Sequence, residues 1–135
     1  MGILIDSDII LDVLTYREPF VHSSRRVLEI CEREQNGFVT ALILSNVYYI
    51  LRKCNSHTEV LRQLRVLMTF VGVIAINKED ILRALNSKFN DFEDALQNYA
   101  AENSEEIDLI VTRNIKDYKS SSLSVMTPND FSKRA

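Results

Sequence analysis

The sequence predicts an α/β fold, a three-layer α/β/α sandwich with a four- to five-stranded parallel sheet. Three observations lead there. Short apolar runs of strand type alternate with stretches of helical period along the chain, and such alternation gives parallel pairing with right-handed crossovers. Polar or acidic residues follow the apolar runs directly, as at Asp6 and Thr112. The length, 135 residues, suits one domain with a real core and is short for two, so 1–135 is read as a single domain.

The elements follow in order. Gly2 to Ile5 is an apolar run that stops at Asp6, and Ile9 to Leu14 continue as a helix. Pro19 is expected to open a second helix at its first turn, where a missing N–H costs nothing, with Phe20, Ser24, Val27, Leu28 and Cys31 on one face. Gln35-Asn36-Gly37 ends it, and Phe38 to Ala41 reads as the second strand. Leu44, Val47, Tyr48 and Leu51 give a third helix ending near Lys53. Ser56 with Glu59 predicts a capping box ahead of Val60, Leu61, Leu64, Leu67, Met68 and Val71 at helical spacing. Val73 to Ile76 reads as the third strand, and Asn77 caps a short helix carrying Ile81, Leu82 and Leu85. Asp91 opens a helix striped by Phe92, Ala95, Leu96, Tyr99 and Ala100. Leu109 to Thr112 and Leu123 to Met126 complete the strands, Ser120 to Ser122 looks loose, and Pro128 starts a terminal helical turn.

A net charge of −3 argues against broad, non-specific nucleic-acid binding. It leaves room for a nuclease whose metal ions carry the positive charge locally. The longest apolar runs are a few residues, so no membrane span is expected, and MGILID reads as a strand and not as a leader. Cys31 and Cys54 fall in expected helices without ligand or disulfide spacing, which fits reduced, buried thiols in the cytoplasm.

Parallel sheets bind ligands at the carboxyl ends of their strands, and three clusters fall there. Asp6, with Asp8 and Asp12 beyond it, ends the first strand and can hold a hard cation through oxygen; equally, Asp6 or Ser7 caps the next helix. Asp91, Glu93 and Asp94 crowd one helix start, where a cap and the helix dipole account for fewer acids than three. Thr112-Arg113-Asn114 with Asp117 follows the fourth strand, with a turn as the alternative. Arg113 and Thr112 are expected to meet substrate there. His22 and His57 read as surface or cap residues. Arg25-Arg26, Arg52-Lys53 and Arg62 with Arg65 read as solvated faces or phosphate contacts. Tyr48 and Tyr49 cannot both face the core, so one of them stacks on a base or packs on a second subunit.

In this order and spacing, Ile3 to Asp8 through Asp12-Val13-Leu14, then Asp94-Ala95, then Ile110 to Asn114 with Asp117-Tyr118 resemble the PIN domain over nearly the whole chain. The subgroup it looks most similar to carries the motifs seen at Tyr48 to Lys53 and at Asp91 to Ala95. The resemblance implies a Mg²⁺- or Mn²⁺-dependent endoribonuclease, often the toxin paired with an antitoxin protein and often a homodimer, with metal-assisted hydrolysis of RNA. It makes Asp6 the first acid and Asp94 the third. The second and fourth acids of the family fall on Asn46 and Asn114, whose carbonyls can ligate a metal but bring no charge. Asp117, Asp8 or Asp91 would then restore charge. Two other readings compete. One is a PIN-like scaffold without catalysis that binds RNA or protein. The other is a phosphatase of haloacid-dehalogenase type, since Asp6-Ser7-Asp8 imitates its nucleophile motif, although no Gly-Thr follows.

Overall fold

A computed structural model describes residues 1–134. In chain order the elements are β1 (Ile3–Ile5), α1 (Ser7–Leu14), α2 (Val21–Glu34), β2 (Gly37–Val39), α3 (Ala41–Leu51), α4 (His57–Met68), β3 (Val71–Val73), α5 (Lys78–Leu85), α6 (Phe92–Asn103), β4 (Leu109–Val111), a 3-10 turn (Ile115–Tyr118), β5 (Ser124–Met126) and α7 (Pro128–Arg134). All five strands pair in parallel in the order β3-β2-β1-β4-β5. The three-layer α/β/α expectation holds, with five strands and seven α-helices among the described residues.

The central strands are buried on both faces, which explains their unbroken apolar runs. Ile3, Leu4 and Ile5 of β1 and Leu109, Ile110 and Val111 of β4 are all at most 1% exposed. Each such side chain contributes about 1.5–3 kcal/mol of transfer free energy. Gly37 lets β2 approach α2, because a Cβ there would stand 2.8 Å from Cys31 Cβ and 2.9 Å from Ile5 Cδ1. No helix among the described residues is long and apolar enough to cross a membrane.

Several boundaries differ from expectation for identifiable reasons. The third strand is Val71–Val73, two residues early, because the Thr69 and Phe70 N–H groups close α4 back onto Val66 and Leu67. Val71 had looked like the next helical position after Leu67. Gly72 also has to sit under the Phe38 ring, where a Cβ would come 2.6 Å from Cε2. The second helix begins at Val21 and not at Pro19, which lies in the preceding turn. Ala41 belongs to α3, capped by the Thr40 hydroxyl. Ser56 accepts the Glu59 N–H at 3.2 Å, but the Glu59 carboxylate turns to Arg62 at 2.6 Å, so the box is only half made.

In α5 the apolar residues face outward. Leu82 and Leu85 are 50% and 63% exposed, whereas Asp80 and Ala84 are buried. The Asp80 carboxylate reaches back to the Asn77 N–H at 2.9 Å, and small Ala84 lies on the side facing α6. Phe92 likewise stands in solvent. Cys31 is buried, with its thiol pushed up to about 12 by desolvation. Cys54 is exposed in the turn after α3, not buried in a helix.

Candidate active site

After β3 the chain recrosses to the far side of β1, so the reversal in strand order falls between β1 and β4. Splayed loops at such a reversal leave a crevice at the carboxyl edge. The Asp6 N–H donates to the Val111 carbonyl at 3.1 Å, which zips the two strand ends together there. The first and third acidic clusters therefore meet across neighbouring strands.

Asp6 caps α1 and is 8% exposed. Its Oδ1 accepts the Ser7 N–H at 2.8 Å, and its Oδ2 accepts the Thr112 hydroxyl at 2.9 Å and the Tyr118 hydroxyl at 3.3 Å. Burial pushes its carboxyl above the ordinary range, and the Asp117 charge adds to this; the three donors pull it back in part.

Asp94 arrives from the first turn of α6, where Asp91 caps the helix by accepting the Asp94 N–H at 2.9 Å. Tyr118 also donates toward Asp94 Oδ1 at 3.4 Å, so one hydroxyl stands between the Asp6 and Asp94 carboxylates. Desolvation, then the charges of Asp6, Asp91 and Asp117, push Asp94 up to about 7. Asp117, exposed on the 3-10 turn, thus acts on both acids through its field.

Asp8 and Asp12 point to a second cluster. Asp8 Oδ2 accepts the Arg113 N–H at 3.0 Å and the Asn114 amide at 3.3 Å, while its buried Oδ1 has no partner. Desolvation and the Asp6 charge push Asp8 up to about 6. Asp12 is fully buried. It accepts Arg113 Nε at 2.8 Å and Nη2 at 3.1 Å, as well as the Ser24 hydroxyl at 2.9 Å. Arg17 lies 3.7 Å away, and the Arg113 guanidinium stacks 4.0 Å from the Phe20 centroid.

The expected site residues are therefore sorted by place. Asp6 and Asp94 meet at the Tyr118 hydroxyl, Asp117 reaches both through its charge, Asp91 caps the helix that carries Asp94, and Asp8 faces the neighbouring cluster. Asn46 donates to the Ser7 hydroxyl at 3.1 Å, at the rim near Asp6. Asn114 turns its amide to Asp8. Thr112 is fully buried, and its hydroxyl donates to Asp6 at 2.9 Å with Asp8 as a more distant acceptor at 3.4 Å. Arg113, expected to meet substrate, spends its guanidinium on Asp12. His22 pairs with Glu18, and His57 meets the Tyr48 hydroxyl, both away from the site. Tyr48 is partly buried and Tyr49 is 68% exposed. The roles of Tyr118 and Asp12 were not apparent from sequence. Tyr118 finds its acceptors 24 and 112 residues away and Asp12 its guanidinium 101 residues away, and only their membership of the motifs singled them out.

Among the described residues no three acidic, histidine or cysteine side chains close into a ready metal cage. The donor set still fits a Mg²⁺-like ion. Such an ion is bound through one or two carboxylates and completed by water and substrate phosphate, and Asp6 with Asp94 supplies two hard oxygen ligands. The phosphatase reading finds no support, because Asp8 is held by the Arg113 backbone and Asn114.

The chain matches the family model described as PIN domain over residues 2–116. No curated protein matches it by sequence. Among solved structures it is similar to a toxin–antitoxin complex from Klebsiella pneumoniae, with TM-score 0.68 and 20% identity over 94% of this chain and 98% of that one. It is similar also to VapC20 of Mycobacterium tuberculosis, a sarcin–ricin-loop-cleaving toxin, with TM-score 0.65 and 13% identity over 81% and 87%. PAE2754 of Pyrobaculum aerophilum gives TM-score 0.68 and 15% identity over 99% and 88%.

Proposed function

The chain belongs to the PIN domain family, and from that premise we propose that it is a metal-dependent endoribonuclease, the toxin of a toxin–antitoxin pair. The observation that carries the reading is that Asp6 and Asp94 share the Tyr118 hydroxyl, with the Asp117 charge acting on both. Among the described residues none of the three forms an ion pair with Lys, Arg or His. A cluster of acids that the chain leaves without a counter-charge favours a cation from solution.

Asp6 and Asp94 would hold Mg²⁺ or Mn²⁺, with Asp117 adding negative field. When bound, such an ion supplies Lewis-acid stabilisation of phosphate charge and acidifies water. The chain's own residues do the rest. Ser7, Thr112 and Tyr118 aim Asp6. Asp94, pushed up to about 7, keeps a proton near neutral pH and gives it up on taking a ligand. Asp8 and Arg113 fix the β4 loop from the other side, so Arg113 and Thr112 serve the substrate site from behind. The single domain, the subgroup defined by the motifs at Tyr48 to Lys53 and Asp91 to Ala95, the homodimer, the antitoxin and the cytoplasmic setting belong to the same proposal. The Klebsiella toxin–antitoxin complex among the structural relatives supports the pairing.

Asn46 and Asn114 favour a second reading, a PIN scaffold that binds without cutting, because both amides are engaged as neutral donors to Ser7 and Asp8. Incubating pure protein with single-stranded RNA and Mn²⁺ separates the two. Cleavage that disappears in Asp6→Asn and in Asp94→Asn supports the nuclease. Cleavage that survives both sinks it, and tight RNA binding without cleavage selects the scaffold.

A further inference from the structure

We propose that Tyr118 is a positioning residue for the cation site, its hydroxyl fixing the Asp94 carboxylate against Asp6; the inference rests on the metal-site reading above. The first ground is an asymmetry between the two acids. Asp6 is oriented by the Ser7 N–H and the Thr112 hydroxyl before Tyr118 is counted. Among the described residues, the side chain of Asp94 accepts a hydrogen bond only from Tyr118, at 3.4 Å. Asp91 holds the Asp94 backbone N–H and leaves its carboxylate alone. Without the phenol, the Asp94 side chain is free to turn about its own bonds.

The second ground is where Tyr118 stands. It is 2% exposed, and a phenol enclosed to that degree needs a partner for its hydroxyl. Phe89 meets its ring edge-on at 6.1 Å and meets Tyr99 of α6 at 5.8 Å. The ring is thereby wedged against the segment 86–91 that leads into α6, while the hydroxyl reaches the end of β1. One side chain thus ties the strand that carries Asp6 to the helix that carries Asp94. Its single proton is shared at 3.3 and 3.4 Å, distances that leave the remaining carboxylate lone pairs for a ligand.

Groups that orient a ligand from behind usually change metal affinity by 10- to 100-fold, and two long shared bonds place Tyr118→Phe at the low end, about tenfold. The test titrates the protein with Mn²⁺ and follows the spin-resonance signal of the free ion, for wild type, Tyr118→Phe, Tyr99→Phe and Phe89→Leu. Tyr118→Phe is expected to weaken Mn²⁺ uptake about tenfold and to cut RNA at the wild-type rate once Mn²⁺ saturates. Tyr99→Phe, which also removes a hydroxyl beside Phe89, should titrate like wild type. Phe89→Leu keeps every ligand but loosens the ring, and should give a smaller loss; it carries the test if Tyr118→Phe does not fold. Uptake by Tyr118→Phe, or by Phe89→Leu in its place, indistinguishable from wild type overturns the role of Tyr118 and leaves the metal site standing. A cleavage rate that stays low at saturating Mn²⁺ also overturns it, since the hydroxyl would then serve the chemical step. Wild-type protein that takes up no Mn²⁺ overturns the site reading and this inference together.

Discussion

Two acidic clusters lie side by side at the carboxyl edge of the sheet, and the chain treats them in opposite ways. Asp12 is fully buried, yet the fold delivers the Arg113 guanidinium to both of its oxygens, with Arg17 nearby and the Ser24 hydroxyl in addition. Asp6 and Asp94 receive only hydroxyl and N–H donors. A guanidinium cancels a carboxylate's charge, whereas a hydroxyl aims it and leaves the charge in place. Asp12 is neutralised by the protein itself, whereas its neighbour Asp8 keeps one buried oxygen without a partner. Asp6 and Asp94 receive no counter-charge from the described residues, and burial alone would not have told the two cases apart.

The largest effect expected from this contrast is on catalysis. Asp6→Asn and Asp94→Asn should each cut RNA cleavage by about a hundredfold or more, the scale seen when one electrostatic contributor to a transition state is removed. Both should melt within a few degrees of wild type when no divalent ion is present, because neither acid is paired. A large drop in melting temperature would erase the contrast by making these acids structural.

Arg113→Met tests the other side. It strips a buried carboxylate of its bidentate partner and should cost about 3 kcal/mol, read by urea denaturation. Mn²⁺ uptake should persist, since Asp8 is held by the Arg113 backbone N–H and not by its side chain. If stability is kept while cleavage is lost, Arg113 meets the substrate directly, as the sequence reading had it.

Next comes pH. Asp94 at about 7 and Asp8 at about 6 hold protons in the folded state that the unfolded chain has already released. Between the ordinary carboxylate value, about 4, and about 7 the folded state binds more protons, so stability falls as pH rises. The cation-free melting temperature should therefore decline by several degrees from about pH 5 to about pH 8, and Mn²⁺ should restore it at the upper end. A flat profile would mean that the cluster is already neutralised.

The smallest effect is that of Asn114→Asp. It replaces an amide donor 3.3 Å from Asp8 with a like charge and should cost about 1 kcal/mol without metal. The same change should tighten Mn²⁺ binding measured by calorimetry. Looser binding would show that the added charge does not reach the site.

What could be read from the sequence, and what could not, divides along physical lines. β1, β2 and β4 were legible because double burial demands apolar runs, and Asp6 and Asp94 were legible because they directly follow or open an element. The start of β3 was not, since Val71 continues the helical spacing from Leu67 and nothing local shows that α4 has closed at Thr69. The outward face of α5 was misread because Asp80 and Ala84 take the inner positions that Ile81, Leu82 and Leu85 were expected to fill. The pairing of Arg113 with Asp12 spans 101 residues. Which of two acids gains a guanidinium is decided by strand order, which no local pattern carries.

That strand order also bears on when the protein becomes competent during its own synthesis. β1 sits at the centre of the sheet, and its partner β4 together with Tyr118 comes from the last third of the chain. As the polypeptide leaves the ribosome, Asp6 lacks the Thr112 and Tyr118 hydroxyls until 106 and 112 further residues have been translated. At roughly 5–20 residues per second the unfinished chain spends several seconds with this edge open. The acidic edge is therefore assembled only after β4 and the 3-10 turn have left the ribosome and paired with β1.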